Sequence, residues 1–219
     1  MKTPTKEQWL KARTKGIGSS DVAAVLGISP FKSNVELWEE KMGIREPKDI
    51  SDLDYVKKGT DSEKHIRALF AIDYPEYELW HQENYIMINP KYSFIRCSPD
   101  TLLTEKETNR KGFVEYKRVE IRNSSQYKQW KGNSIPQHYY TQTLQYFLSN
   151  PDIEFGYLRA YLVFINSENK IYRIEIKDYK IANSRLELKE DLDYLFDKEL
   201  KFWNCIEAGK RPAKILPSI

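Results

Sequence analysis

The chain has 219 residues, 40% of them hydrophobic and 31% charged, which fits one soluble domain of mixed class with a sizeable core. A formal charge of +3 is too small for nonspecific wrapping of nucleic acid, so any DNA contact must come from a local patch. Residues 1–13 lack the apolar segment of a signal peptide, no run approaches a membrane span, and Cys97 and Cys205 stand far apart, so reduced thiols in a cytoplasmic protein are expected.

In chain order, Thr5 predicts the cap of a short helix over 6–13 that carries Trp9 and ends before Gly16. Gly16-Ile17-Gly18-Ser19-Ser20-Asp21 then opens a helix through Leu26 that stops at Gly27. Small and hydroxyl residues at a helix start can seat a phosphate, although local sequence alone favours a plain cap by Ser19 or Ser20. A third helix is predicted from an Asn34 cap to Gly43, using Val35, Leu37 and Trp38, with a loop over 44–54. Residues 55–73 read as a helix with Ile66, Leu69 and Phe70 as its apolar stripe. Glu63 lies at the edge of that stripe, where local reading favours an i,i+4 ion pair with Arg67.

After Pro75, strands are predicted over 83–88 and 92–97, joined by a turn at Asn89-Pro90. The second runs into Ser98-Pro99-Asp100, a charged turn covers 105–112, and a strand follows through Gly112-Phe113-Val114-Glu115-Tyr116-Lys117-Arg118-Val119. Residues 122–133 form a loop or short helix, and Pro136 opens a helix over 137–148 with His138, Gln142 and Gln145 on one face. Strands over 157–165 and 170–177 precede a long helix over 181–208 that ends at Gly209. This order predicts an α/β fold, a central mixed sheet flanked by helices, with no internal repeat.

One tripeptide has chemical potential. On a strand, Glu115 and Lys117 project from the same face. With Asp100 fifteen positions upstream they form a pair of acids able to hold a divalent metal beside a lysine, the groups needed to cut a phosphodiester. Glu-x-Lys occurs seven times, however, starting at Glu39, Glu46, Glu115, Glu168, Glu175, Glu187 and Glu199. The copies at Glu39, Glu187 and Glu199 fall in charged helical patterns that read as solvated faces, and those at Glu46 and Glu168 fall in a loop and a turn. Glu175 sits on a strand, but its nearest upstream acid, Asp152, follows a helix end and is 23 residues away. Glu115, one short hairpin from Asp100, is the better candidate.

At these residues the chain resembles the phage lambda exonuclease and YqaJ-type recombinase nucleases of the PD-(D/E)xK superfamily. Arg13 with Gly16-Ile17-Gly18-Ser19-Ser20-Asp21 resembles the N-terminal Arg-x-x-Gly-Ile-x-x-Ser element, and Gly59 to Glu63 followed by Arg67-Ala68-Leu69-Phe70 resembles the Gly-x-x-x-Glu helix. Ser98-Pro99-Asp100 and Glu115-Tyr116-Lys117 match the core motif. Tyr139 to Gln145 resembles the Tyr-x-x-Gln-x-Gln helix with one extra residue between the glutamines, so Gln145 receives no role. Arg118-Val119 departs from the small residue and proline that relatives often place after the lysine.

The resemblance implies one nuclease domain over 1–219 with a restriction-endonuclease-like core, its N-terminal helices (1–54) contributing the DNA-end-binding element. It implies Mg²⁺, with Mn²⁺ as a substitute, held by Asp100, Glu115 and the main-chain carbonyl of Tyr116, with Glu63 helping to hold a second ion. Lys117 would orient or deprotonate the attacking water, Gln142 would hydrogen-bond Lys117 or that water, and Arg13 and Ser20 would grip a 5′-phosphate. The implied activity is 5′→3′ exonuclease digestion of double-stranded DNA ends. Relatives form ring-shaped trimers and work with a single-strand annealing protein, which makes a homotrimer and such a partner expectations here, in the cytoplasm of a phage-infected or prophage-bearing bacterial cell. The alternatives are an endonuclease or single-strand nuclease of the same superfamily, or a non-cleaving DNA-end binder.

Overall fold

The computed structural model describes residues 3–50 and 52–216. Its centre is a five-stranded mixed sheet built, in spatial order, from β1 (Tyr77–Trp80), β4 (Thr101–Glu105), β5 (Lys111–Ile121), β6 (Ile153–Ile165) and β7 (Ile171–Ala182). Strands β5 and β6 are parallel and the other neighbours antiparallel. A parallel pair needs a crossover, here supplied by α6 (Gln137–Ser149) packed on the sheet. The other face is covered by α4 (Asp54–Asp73), whose Ile66 and Phe70 pack with Val114, Tyr116, Phe155 and Tyr157. Leu69, expected in that stripe, is 39% exposed, because Ile66 and Phe70 alone meet the strands.

Helix α1 (Lys6–Thr14) buries no residue and is tied in by Arg96 and Lys41, which donate to the carbonyls of Ala12 and Arg13. On the outside of α6, α2 (Val22–Val25) packs against α6, α3 (Asn34–Lys41) and α7 (Lys189–Glu207). Their core includes Ile17, Val22, Leu37, Phe147, Leu192 and Leu195. Thr5 caps α1 through a reciprocal capping box with Gln8. Gly27 ends the turn after α2 at φ 74°, a left-handed conformation that suits glycine. A small antiparallel pair, β2 (Met87–Ile88) with β3 (Arg96–Cys97), leads into Asp100, and α5 (Ser124–Lys128) follows β5.

Several expectations are corrected. The cap of α3 is Ser33, and Asn34 is instead the first helical residue, its side chain bonded to the backbone of Ala213 and Ile215. Strand β1 is a further member of the sheet, too short for a period-2 signal. The two strands predicted between 83 and 97 shrink to β2 and β3. The final helix starts later than predicted, since Ile181 and Ala182 finish β7 and a 3₁₀ turn at Arg185–Leu188 intervenes.

One buried ion network anchors α4. Arg159 on β6, 1% exposed, donates to Asp178 at 2.7 Å and to Asp73 at the end of α4 at 2.6 Å, and its guanidinium lies 4.9 Å from the Phe70 ring. Arg159 is buried while Asp73 is half exposed, so solvent screens that pair, yet it ties the end of α4, the helix that carries Glu63, to the sheet.

Candidate active site

Strand β5 passes from an interior strand to an open edge within its own length. On the β4 side its register ends at Thr101↔Val114, while pairing with β6 continues to Ile121. Two residues beyond the last of these pairs, Tyr116 N–H is taken by the Asp100 carboxylate at 2.8 Å. Asp100 thus stands where the ladder stops, beside Glu115. The alternation predicted from sequence holds. Val114 and Tyr116 face α4, whereas Glu115 and Lys117 face α6.

Glu115 is the hub. It is 2% exposed on a central strand, a costly place for a carboxylate unless its oxygens are bonded. Three donors meet it: Gln142 Nε2 at 2.7 Å and the Lys117 ammonium on Oε1, and the Tyr146 hydroxyl on Oε2. Gln142 and Tyr146 are one helical turn apart on α6, so one face of that helix delivers both. Tyr146 is fully buried, and burial followed by the Glu115 charge pushes its hydroxyl well above the ordinary tyrosine range. It is therefore a permanent donor. Sequence reasoning missed it, though its i+4 spacing from Gln142 was a usable signal.

The electrostatics describe a site with too much negative charge. Burial, then Glu115, then Glu63 push the Asp100 carboxyl well above the usual carboxylate range, against Lys117 and the Tyr116 amide. Burial likewise raises Glu63, with Arg67 and His81 opposing and Glu115 adding to the shift. Although burial opposes it, Glu115 and Asp100 hold the Lys117 ammonium above the ordinary lysine range. Glu63 makes the expected pair with Arg67, at 3.8 Å, and acts on the two central acids through space. Among the described residues no three His, Cys, Asp or Glu side chains form a group able to hold a metal ion. The donor set nevertheless suits a hard divalent cation. Two adjacent carboxylates whose mutual repulsion raises one of them, with the Tyr116 carbonyl between Glu115 and Lys117 on the strand, are oxygen ligands of the kind Mg²⁺ takes while keeping waters.

A second set of residues shares the cleft. Arg13 donates to Ser20 at 2.7 Å, and its guanidinium lies 4.5 Å from the Trp9 ring, while Trp9 Nε1 donates to Ser98 Oγ at 3.0 Å. Trp9 and Arg13 are i,i+4 on α1. The turn that carries Ser20 is held tightly: a Cβ on Gly16 would meet Phe94 O at 2.4 Å, so glycine is needed for the chain to pass there. Asp21 occupies the cap position of α2 and makes no side-chain cap bond to that helix. It accepts from Gly18 N at 3.1 Å and from Lys41 at 2.7 Å instead. Burial would raise its carboxyl, yet Lys41, Lys32 and Arg13 hold it below the usual range. Neither Ser19 nor Ser20 caps α2, which corrects the plain-cap reading, because Ser20 turns toward Arg13. Trp9, Arg13, Ser20, Ser98, Asp100, Glu115 and Gln142 all line one cleft of about 230 Å³. Lys117 and Glu63 are not among the lining residues: Lys117 touches Glu115 behind them, and Glu63, on α4, acts on the acids only electrostatically.

The model of the YqaJ-like viral recombinase domain matches residues 8–149, the span from Trp9 through Tyr146 that builds both halves of this cleft. The chain belongs to the YqaJ-like viral recombinase family. It is 28% identical over 213 residues to the uncharacterized protein YqaJ of Bacillus subtilis (strain 168), covering 95% of this chain and 59% of that protein, so it spans about three-fifths of that relative's length. Among solved structures, an alkaline exonuclease (LHK-Exo) from Laribacter hongkongensis superposes with a TM-score of 0.65 at 16% identity over 93% of this chain and 94% of that one. The same enzyme in complex with dAMP gives 0.64 at 18% identity, with 93% and 94% covered. A phage related exonuclease from Haemophilus somnus 129PT gives 0.54 at 14% identity, with 89% and 96% covered. At these identities the structures establish that this family member has the fold of those exonucleases. No helix among the described residues is long and apolar enough to cross a membrane.

Proposed function

We propose that the chain is a metal-dependent deoxyribonuclease that digests linear double-stranded DNA from its ends in the 5′→3′ direction, leaving 3′ single strands for recombination. The observation that carries this reading is one cleft with two kinds of group: the Asp100–Glu115 pair with Gln142 and Lys117, and, in the same space, Arg13 with Ser20. A terminal phosphate held by a guanidinium and a hydroxyl sets the phosphodiesters of its own strand toward the carboxylates. That geometry favours cutting from an end over cutting inside a duplex. The fold shared with the two exonucleases, one of them crystallised with a nucleoside monophosphate, supports the same class.

In this reading Asp100, Glu115 and the Tyr116 carbonyl hold Mg²⁺ or Mn²⁺, and Glu63 helps with a second ion. When bound, such an ion polarises the phosphate and lowers the pKa of a bound water. Tyr146 and Gln142 fix the Glu115 carboxylate so that its lone pairs stay aimed into the cleft. Lys117 orients or deprotonates the attacking water and offsets charge developing on the phosphate. Arg13 and Ser20 grip the 5′-phosphate, with Trp9 and Ser98 supporting them. Assembly into a homotrimer around DNA and work beside a single-strand annealing protein, in a phage-infected or prophage-bearing bacterial cytoplasm, belong to the same proposal.

The test is digestion of 5′-phosphorylated linear duplex, 5′-hydroxyl duplex, closed circles and single strands with Mg²⁺ or EDTA. Expected is Mg²⁺-dependent loss of linear duplex, fastest with a 5′-phosphate. Nicked circles would point instead to an endonuclease, and no cleavage under any condition would leave a DNA-end binder.

A further inference from the structure

Gln145, the glutamine out of register with the family pattern, is fully buried on α6. Its Nε2 donates to the carbonyl of Ile17 at 3.1 Å. That carbonyl also accepts Arg96 N–H at 3.0 Å, and Ile17 N–H donates to Phe94 O at 2.6 Å. Ile17 is therefore the fixed root of the turn running through Gly18 and Ser19 to Ser20 in the cleft.

The other end of the Gln145 amide is unsatisfied. Its Oε1 is buried without a hydrogen-bond partner, and so are both carboxyl oxygens of Glu199 on α7, a residue with no solvent exposure. Helices α6 and α7 pack together, with Gln145 beside Glu199. With Glu199 ionised, its two oxygens and Gln145 Oε1 all stay without a partner in the interior, where an unpaired acceptor is costly. A carboxylic acid resolves the arrangement. Its O–H donates to Gln145 Oε1, and the amide N–H stays on Ile17. The groups around it agree: Asp21, from the start of α2, adds negative charge that disfavours ionisation, and the buried Cys97 thiol on β3 is itself pushed upward, first by burial, so it stays neutral. Burial, with Asp21 adding and Gln145 opposing, drives the Glu199 carboxyl well above its ordinary range.

We propose that Glu199, as a neutral carboxylic acid donating to Gln145, positions the Ile17–Ser20 turn for a 5′-phosphate. It is a positioning residue, far from the reacting atoms, and the inference rests on the end-gripping role proposed above for Ser20 and Arg13. Gln145 then gains a role as well, since it transmits the grip of α7 to the phosphate turn.

The test compares wild type, Glu199→Gln and Glu199→Leu on 5′-phosphorylated and 5′-hydroxyl duplex ends in Mg²⁺. Glu199→Gln keeps a donor and should retain the preference for phosphorylated ends. Glu199→Leu removes it, and the preference should fall about tenfold through KM, the worth of roughly 1.4 kcal/mol, with kcat little changed. A purely structural role would shift stability and leave that ratio alone, so an unchanged ratio in Glu199→Leu overturns the proposal. Should Glu199→Leu not fold, infrared difference spectra of wild type against Glu199→Gln at neutral pH decide. A carboxylic-acid carbonyl band lost in the variant supports the inference, and its absence in wild type overturns it. A wild type with no preference for phosphorylated ends would defeat the end-gripping role itself, while the infrared band still reports on Glu199.

Discussion

Two strands of the same sheet carry Glu-x-Lys, and only one of them builds a site. On β5, Glu115 is 2% exposed and meets Lys117, Gln142 and Tyr146 beside Asp100. On β7, Glu175 pairs with Arg173 and accepts from Tyr127 at 3.3 Å, and Lys177 donates to the Trp130 carbonyl. Both tripeptides alternate correctly, so the tripeptide is not what distinguishes them. The difference is position. β5 lies inside the sheet, loses its β4 neighbour at Val114 and is overlaid by α6, so a second acid and fixed donors converge there. β7 is the edge strand, and the upstream Asp152 is exposed in a turn that bonds back to Asn150. A buried carboxylate cluster here is made by its neighbours.

That contrast can be broken most forcefully at the lysines. Lys117→Ala should lower cleavage of linear duplex by roughly 1,000-fold while duplex binding in a gel-shift assay survives, and Lys177→Ala should cut near the wild-type rate. The reverse pattern would mean that β7 holds the site. Tyr146→Phe removes one hydroxyl from Glu115 without emptying the core; a loss of about 10–100-fold in Mn²⁺ affinity, read by calorimetric titration, is expected. An unchanged affinity would reduce Tyr146 to packing.

Smaller effects sharpen the second half of the cleft. Arg13→Ser should reduce the preference for 5′-phosphorylated over 5′-hydroxyl ends about tenfold, the scale of one charge-assisted hydrogen bond, with little change on hydroxyl ends. Equal losses on both substrates would remove Arg13 from the grip. The mildest expectation concerns pH. Glu199 holds its proton in the native state above the pH where a free glutamate ionises, so the native chain binds more protons than the unfolded one there. Stability must then fall as pH rises from the ordinary glutamate range toward the raised native value. Glu199→Gln lacks this slope, and urea midpoints from about pH 5 to about pH 8 should decline less steeply for it than for wild type.

The placement of the central residues was legible because its signals are local: the period-2 pattern of β5, the short hairpin from Asp100, the Thr5 cap of α1 and the proline at the head of α6. What failed needed long-range knowledge. β1 is four residues long and becomes a strand only by pairing with β4. Ile181 and Ala182 belong to β7 because β6 is long enough for Gly156 to pair with Ala182, Ile181 falling at the register shift before it, and nothing local forbids a helix there. Glu199 was read as a solvated charge from its neighbours in sequence, yet it falls on the stripe of Leu192, Leu195 and Phe202, all buried. Helical spacing held that information, but charge patterning outweighed it. The cleft was half legible. Arg13 and Ser20 came from the family resemblance, Trp9 and Ser98 follow only once α1 and the Ser-Pro-Asp segment are seen side by side, and Tyr146 had only its i+4 spacing from Gln142 to show it.

The most direct test of the central claim follows release of nucleotide from a linear duplex labelled at its 5′-phosphate, for wild type and Asp100→Asn, with Mg²⁺ and with EDTA. Wild type should release labelled mononucleotide in Mg²⁺ alone, and a folded Asp100→Asn should release none. Release in EDTA, or an undiminished rate in Asp100→Asn, would contradict a metal-dependent site at the open edge of β5.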